Sequence, residues 1–259
     1  MTSGPMRFDP PLVPGTFHRR YKRFLVDATL EGGEEVVAHS TNTGALLGCL
    51  REGAPTALRP ADNPKRKLQW TWTMIQPEAH WVGVDTSLAV PLVSEAIDGG
   101  LLPELEGYQR RVTEVAYGRE GRSRIDLLLS RGGQIPDGTP KRVRAPWVDD
   151  ERVYVEVKTT TLVETRGGRR VAMFPDAVTA RGRKHLDELA DVVAGGQRAA
   201  MVYVVQREDC EVFDSADHID PEYGEALRRA LGSGVEAYAL NCRVSPEQLV
   251  PLARLELIG

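Results

Sequence analysis

Along the first eighty or so residues, apolar and polar positions alternate in short runs broken by turn residues. The alternation over residues 20–30 stops at Glu31-Gly32-Gly33, resumes over 35–39 and stops again at Asn42-Thr43-Gly44. After Gly53-Ala54-Pro55 comes a short run at 56–58. Residues 67–75 are then dense in strand formers: Trp70, Thr71, Trp72, Thr73 and Ile75. Period-two runs bounded by glycine, asparagine and proline predict strands. Several of them within about eighty residues suit a small closed barrel, and the OB-fold is the common architecture of that size.

Beyond residue 81 the period changes. Residues 87–97 predict a short apolar helix with Gly99-Gly100 as its stop. Strands are predicted at 112–117, 124–129 and 153–159. Over 180–193, Leu186, Leu189, Ala190 and Val193 fall on one helical face, and Gly195-Gly196 ends the run. Residues 199–205 are continuously apolar, the pattern of a strand buried on both faces. Residues 220–231 predict a helix with Pro221 in its first turn, and 235–240 the last clear strand. The order α-β-β-β-α-β-α-β predicts a mixed sheet flanked by helices. Two domains are therefore expected, over 1–81 and 82–259. The proline- and glycine-bearing stretch 132–150 is expected to be a long surface loop.

Charge sharpens this division. The 259 residues carry 33 Lys and Arg against 37 Asp and Glu, a net −4, which excludes a uniformly basic packer of nucleic acid. The first 81 residues sum to +2 and the remainder to −6, so a local basic groove on the barrel is still open. Cys49, Cys210 and Cys242 have no metal-ligand spacing and suit a reducing, cytoplasmic setting. The four prolines before residue 15 and the lack of a long apolar run argue against a leader peptide or a membrane span. No phosphate-cradling glycine motif, serine-hydrolase elbow or zincin motif occurs.

The informative segment is Tyr154-Val155-Glu156-Val157-Lys158. On a strand, Glu156 and Lys158 share a face, roughly 6–7 Å apart. The preceding predicted strand offers one acid, Asp126, amid Ile125, Leu127, Leu128 and Leu129. If the strands are neighbours, two carboxylates and an ammonium meet at one sheet edge. A hard cation such as Mg²⁺ takes one or two carboxylates, waters and a substrate phosphate, and a lysine beside it orients a water or meets developing charge. That set suits metal-dependent phosphodiester hydrolysis. The acid-x-Lys triplet alone equally suits a cross-strand salt pair. Asp126 is the added weight, because acids are depleted from strands and seldom buried without a role. Glu95, on the first helix, is a further candidate ligand or a solvated residue. Glu114 suits either as well.

Arg19-Arg20-Tyr21-Lys22-Arg23 and Lys65-Arg66-Lys67, the latter just before Trp70 and Trp72, group cations with aromatic rings. OB-folds hold strands of nucleic acid with such groups. Tryptophans two apart also suit a core. Arg181, Arg183, Lys184 and His185 open the long helix, where cations oppose the macrodipole. A phosphate backbone or the nearby carboxylates would compensate them.

Taken together, these residues resemble the sugar fermentation stimulation protein A family. The matching segments run in family order from about residue 17 to 242. They include Arg20-Tyr21-Lys22-Arg23-Phe24-Leu25, His39 with Asn42-Thr43-Gly44, Tyr117-Gly118, Ser123-Arg124-Ile125-Asp126 and Glu156-Val157-Lys158. Phe174-Pro175-Asp176-Ala177, Arg181-Gly182 with Lys184-His185-Leu186, and His218-Ile219-Asp220 complete the set. The resemblance implies an α/β protein with an N-terminal OB-fold β-barrel. A restriction-endonuclease-like PD-(D/E)xK domain with a mixed sheet follows it. It implies that Asp126, Glu156 and Lys158 are the catalytic signature residues and that the protein binds DNA. Joined to the reading of the residues, it makes Asp126 and Glu156, with Glu95 as an optional ligand, the expected holders of Mg²⁺ or Mn²⁺, and Arg20, Lys22, Arg23, Lys65, Arg66, Lys67, Arg181, Lys184 and His185 the expected DNA contacts. Two departures stand out: a longer stretch between Asp126 and Glu156, and Ile125 where the signature's name has proline. A non-catalytic DNA-binding regulator of sugar (maltose) metabolism, retaining a nuclease fold, is the alternative; an RNA-binding barrel is a third.

Overall fold

The computed structural model describes residues 7–118, 123–132 and 151–259. The expected loop over 132–150 lies outside them except for Gly132.

The first strands are β1 (Val13–Tyr21), β2 (Leu25–Leu30), β3 (Glu35–His39), β4 (Pro55–Pro60) and β5 (Trp70–Ile75). They lie in the order β3-β2-β1-β4-β5, and a parallel pairing of β3 with β5 closes the barrel. Alternation drives the closure: Val26, Ala28 and Leu30 of β2 point inward and the residues between them are half-buried. The run read as one strand over 20–30 is two. Between them Lys22 and Arg23 sit at φ of 49° and 66°. That left-handed region costs a non-glycine residue of order 1–3 kcal/mol, and here it turns two cations outward. Trp72 is fully buried. Its ring stacks on Phe17 at 5.4 Å, and its indole donates to Thr56 Oγ1 at 2.8 Å. It is a core residue, not a platform for bases. Trp70 is half-buried against the same core. A short β6 (Val82–Gly83) pairs with β5, so the barrel sheet runs past residue 81.

The rest is a three-layer α/β sandwich. Its elements are α1 (Ala89–Asp98), β7 (Arg110–Tyr117), β8 (Ser123–Ser130), β9 (Arg152–Thr160), β10 (Leu162–Arg166), β11 (Arg169–Phe174) and α2 (Ala180–Ala194). They continue with β12 (Arg198–Val205), β13 (Val212–Ser215), α3 (Pro221–Gly232), β14 (Glu236–Ser245) and β15 (Gln248–Leu257). The nine-stranded mixed sheet has the order β10-β11-β13-β15-β14-β12-β9-β8-β7. Next to its middle strand β14 lies β12, parallel to both β9 and β14 and buried along nearly its whole length. On one face Leu92, Val93, Ala96 and Ile97 of α1 cover Leu127, Leu129, Val153 and Val155. On the other, Leu186 and Leu189 of α2 and Tyr223 and Leu227 of α3 cover Leu128, Met201, Tyr203 and Phe213. The hairpin β10–β11, strand β13 and strand β15 go beyond the strands read from periodicity. Charged residues interrupt the first. In β15, Pro251 falls where the register with β14 shifts at Asn241–Cys242, a place in a sheet that tolerates proline. Among the described residues, no helix is long and apolar enough to cross a membrane.

Three contacts seat the barrel on the sandwich. Asp176 Oδ2 accepts from Leu46 N at 2.7 Å. Gly83 N donates to Gln206 O at 2.8 Å, and Gln206 Nε2 donates to Asp85 O. A Cβ on Gly83 would meet Gln206 Oε1 at 2.3 Å, so a side chain there would require Gln206 to shift. Asp85 is wholly buried and accepts from Arg59, Thr41 and Ser87.

Because Trp72 is core, Trp72→Ala is expected to cost about 3–5 kcal/mol in denaturant unfolding. Unchanged stability would return Trp72 to the surface role.

Candidate active site

Strands β8 and β9 pair antiparallel from Leu127–Val155 to Ser130–Arg152. The alternation of β8 breaks at the next position. Leu127 and Leu129 pack on the α1 side, whereas both Ile125 and Leu128 pack on the α2 side. The neighbouring residue on β7, Glu114, has φ of 58°. At this break the Asp126 carboxylate turns into the gap between strands, and its Oδ2 accepts from Val157 N at 2.7 Å. Burial first, and the charge of Glu156 second, push the Asp126 carboxyl up to about 6.

Glu156 is 2 % exposed. Its Oε1 accepts from Lys158 Nζ at 2.5 Å and from His185 Nδ1. Burial pulls its pKa upward, but the His185 hydrogen bond and the Lys158 charge outweigh that and hold it below the ordinary glutamate value. His185 is itself buried, and Arg181 Nε donates to its Nε2 at 3.3 Å. A guanidinium only donates, so the ring proton belongs on Nδ1, aimed at Glu156. The other oxygen, Glu156 Oε2, is buried and has no hydrogen-bond partner among the described residues. The same holds for the Tyr117 hydroxyl; burial, then Glu156, Glu188 and Asp126, raise its pKa. Periodicity does not single out Tyr117 or Glu188. They flank the carboxylates because β7 and α2 border β8, and the only sequence signal was the Tyr117-Gly118 pair, which carried no role.

Asp126 and Lys158 line a cleft of about 770 Å³ between the domains. Arg181 joins them on that side. From the barrel come Arg20, Lys22 and Arg23, together with residues 41–45. Arg20 is held by its Nε donating to Arg23 O at 2.7 Å and its Nη2 to Asn42 O at 3.2 Å. A second recess of about 460 Å³ is lined by His39, Arg59, Arg66 and Lys67 and shares Thr41 with the cleft.

Other expected residues lie elsewhere. Glu95 is five positions past Val90, the last α1 residue in the cleft, which carries it about 140° around the helix. There its charge adds to burial in raising the pKa of the Cys242 thiol on β14. His185 faces the interior, not a docked strand. Lys184 pairs with Glu188 and reaches Ser123, and Lys65 does not line either cavity. Arg183 is taken by Asp220 and Glu222. The cations that open α2 are thus largely compensated by the protein's own carboxylates. No three His, Cys, Asp or Glu side chains converge as a metal cluster among the described residues. The oxygen set is the pair Asp126 and Glu156, which is what a cation completed by waters and phosphate requires.

Two family models match the chain. Residues 19–84 match the SfsA N-terminal OB domain and residues 87–248 the sugar fermentation stimulation protein RE domain. A sugar fermentation stimulation protein homolog of Pelobacter propionicus is 48 % identical over 96 % of this chain and 98 % of its own. One from Geotalea uraniireducens is 47 % identical over 93 % and 95 %. The solved structure titled as Pyrococcus furiosus SfsA in complex with Ca²⁺ superposes with a TM-score of 0.80. It is 26 % identical and covers 98 % of both chains.

The raised Asp126 pKa fixes the sign of a pH effect. Between about pH 4 and 6 the folded protein keeps a proton that the unfolded chain has lost, so stability falls as pH rises through that interval. In chelator-treated protein, Asp126→Asn is expected to gain about 2–3 kcal/mol above pH 7, with the gain vanishing toward pH 4. A gain independent of pH, or a loss at pH 8, would refute this.

Proposed function

The chain belongs to the sugar fermentation stimulation protein family, and we propose that it binds DNA and hydrolyses its phosphodiester bonds with Mg²⁺ or Mn²⁺ held by Asp126 and Glu156. The carrying observation is the buried Glu156 Oε2, unpartnered near a second carboxylate whose pKa is raised by burial and then by the charge of Glu156. A buried carboxylate oxygen with no donor is costly, and a cation at that point relieves both groups. The donor set is all oxygen, the preference of hard divalent ions. The Pyrococcus relative, whose title names Ca²⁺, supports the same preference.

When bound, the cation supplies Lewis acidity at the phosphoryl oxygen. The chain's own residues do the rest. His185 and Lys158 keep Glu156 ionised and fix its orientation through Oε1. Asp126 is steadied by Val157 N. The Lys158 ammonium, half-buried in the cleft wall, orients a water and meets charge that develops on the phosphate. Arg20, Lys22, Arg23 and Arg181 hold phosphates on either side.

The test is cleavage of single- and double-stranded DNA with Mg²⁺, Mn²⁺ or EDTA. Wild type should cut only with metal, and Glu156→Gln and Lys158→Ala should each lose about 10²-fold or more. Equal cutting by the variants would end the hydrolase assignment. Binding without any cutting would leave a DNA-binding regulator. With four cleft cations besides the Glu156-paired Lys158, log affinity should fall against log salt with a slope of roughly −3 to −4; a flat response would remove the phosphate contacts.

A further inference from the structure

We propose that the cleft takes an unpaired polynucleotide strand and not a duplex. This rests on the hydrolase assignment above and names its substrate class. Three observations carry it. The first is placement. Asp126 and Lys158 line the same half-open space as Arg20, Lys22 and Arg23 from the facing domain, so a bound strand has protein on two sides. Its volume of about 770 Å³ lies within the range of small-ligand clefts.

The second is the seam. Asp176 accepts from Leu46 N, and Gln206 bonds the backbone of both Gly83 and Asp85, so the barrel meets the sandwich at two points. A side chain at Gly83 would press on Gln206. The barrel wall is thus held beside Asp126 by hydrogen bonds from both domains.

The third is the chemistry of the mouth. Leu50 and Val178 line the cleft yet are 42 % and 70 % exposed, and Phe24, 45 % exposed, follows Arg23 directly. Phosphates alone give such apolar groups nothing to cover them. A duplex turns its base faces inward, whereas an unpaired strand offers them beside its phosphates. Cations and apolar side chains lining one cleft match that pairing. The second recess, with Arg66 and Lys67, abuts the cleft at Thr41 and continues the strand's path across the barrel.

The experiment measures binding by fluorescence anisotropy in EDTA at physiological salt. The ligands are an oligothymidylate, an oligouridylate and a blunt DNA duplex of equal length. The single strands should bind at least about tenfold more tightly than the duplex. The double variant Leu50→Ser/Val178→Ser should lose about fivefold on single strands and nothing on duplex. Both side chains are exposed, and an unchanged unfolding transition confirms that the variant folds. The tighter of the DNA and RNA strands names the natural source, and either supports the proposal when it exceeds the duplex. Duplex bound as tightly as single strand, or a variant that binds like wild type, would overturn it. Because binding is read without metal, the two assignments fail separately. A single-strand preference without cleavage removes the hydrolase alone, and Glu156-dependent cutting of intact duplex removes the substrate class alone.

Discussion

A carboxylate withdrawn from water must be neutralised or matched by donors, and in a protein interior the unmatched cost is several kcal/mol. Glu156, 2 % exposed on β9, meets that demand by placing one oxygen against Lys158 and His185. Much of the surrounding structure exists to keep those two donors there. His185 reaches Glu156 only because α2 crosses that face of the sheet. The start of α2 is tied by Thr179 capping Gly182 N, and by Asp220, which accepts from Thr179 N and Arg183. Arg181, one turn before His185, orients its ring and then lines the cleft. One helix start therefore both matches the buried charge and lines the cleft.

The same economy governs the other carboxylate. Asp126 is held by a backbone N–H where the β8–β9 ladder ends, so a break in sheet pairing becomes a fixed acid at a cleft. The barrel supplies what the sandwich lacks. The sandwich side offers carboxylates and few unengaged cations, since Arg183 and Lys184 are bound to Asp220, Glu222 and Glu188. The barrel's strained turn at Lys22 and Arg23 brings positive charge back over them. The barrel lines the cleft with Arg20, Lys22 and Arg23, while the sandwich lines it with both signs, Asp126 and Asp176 beside Lys158 and Arg181.

The barrel, the central apolar strand and the three helices were legible because their periodicity is regular. So was the shared face of Glu156 and Lys158, which strand alternation dictates. The left-handed Glu114 and the break at Asp126 were not, because nothing local demands them. His185 reads as one more cation at a helix start; that it points inward depends on which strand the helix covers. Glu95 stayed open between ligand and solvated residue for the converse reason: helical spacing sets its angle, but only the packed position of α1 says which face meets the cleft. Strand β15 was obscured by its charges and Pro251, which a register shift accommodates.

The central claim is that Asp126 and Glu156 share a divalent cation. Calorimetric titration of Mn²⁺ into chelator-treated protein tests it directly. Wild type should take up one ion and unfold at a higher temperature with it. Glu156→Gln, which keeps the shape and removes the charge, should do neither. Absence of binding by wild type, or an equal heat from the variant, would contradict the account.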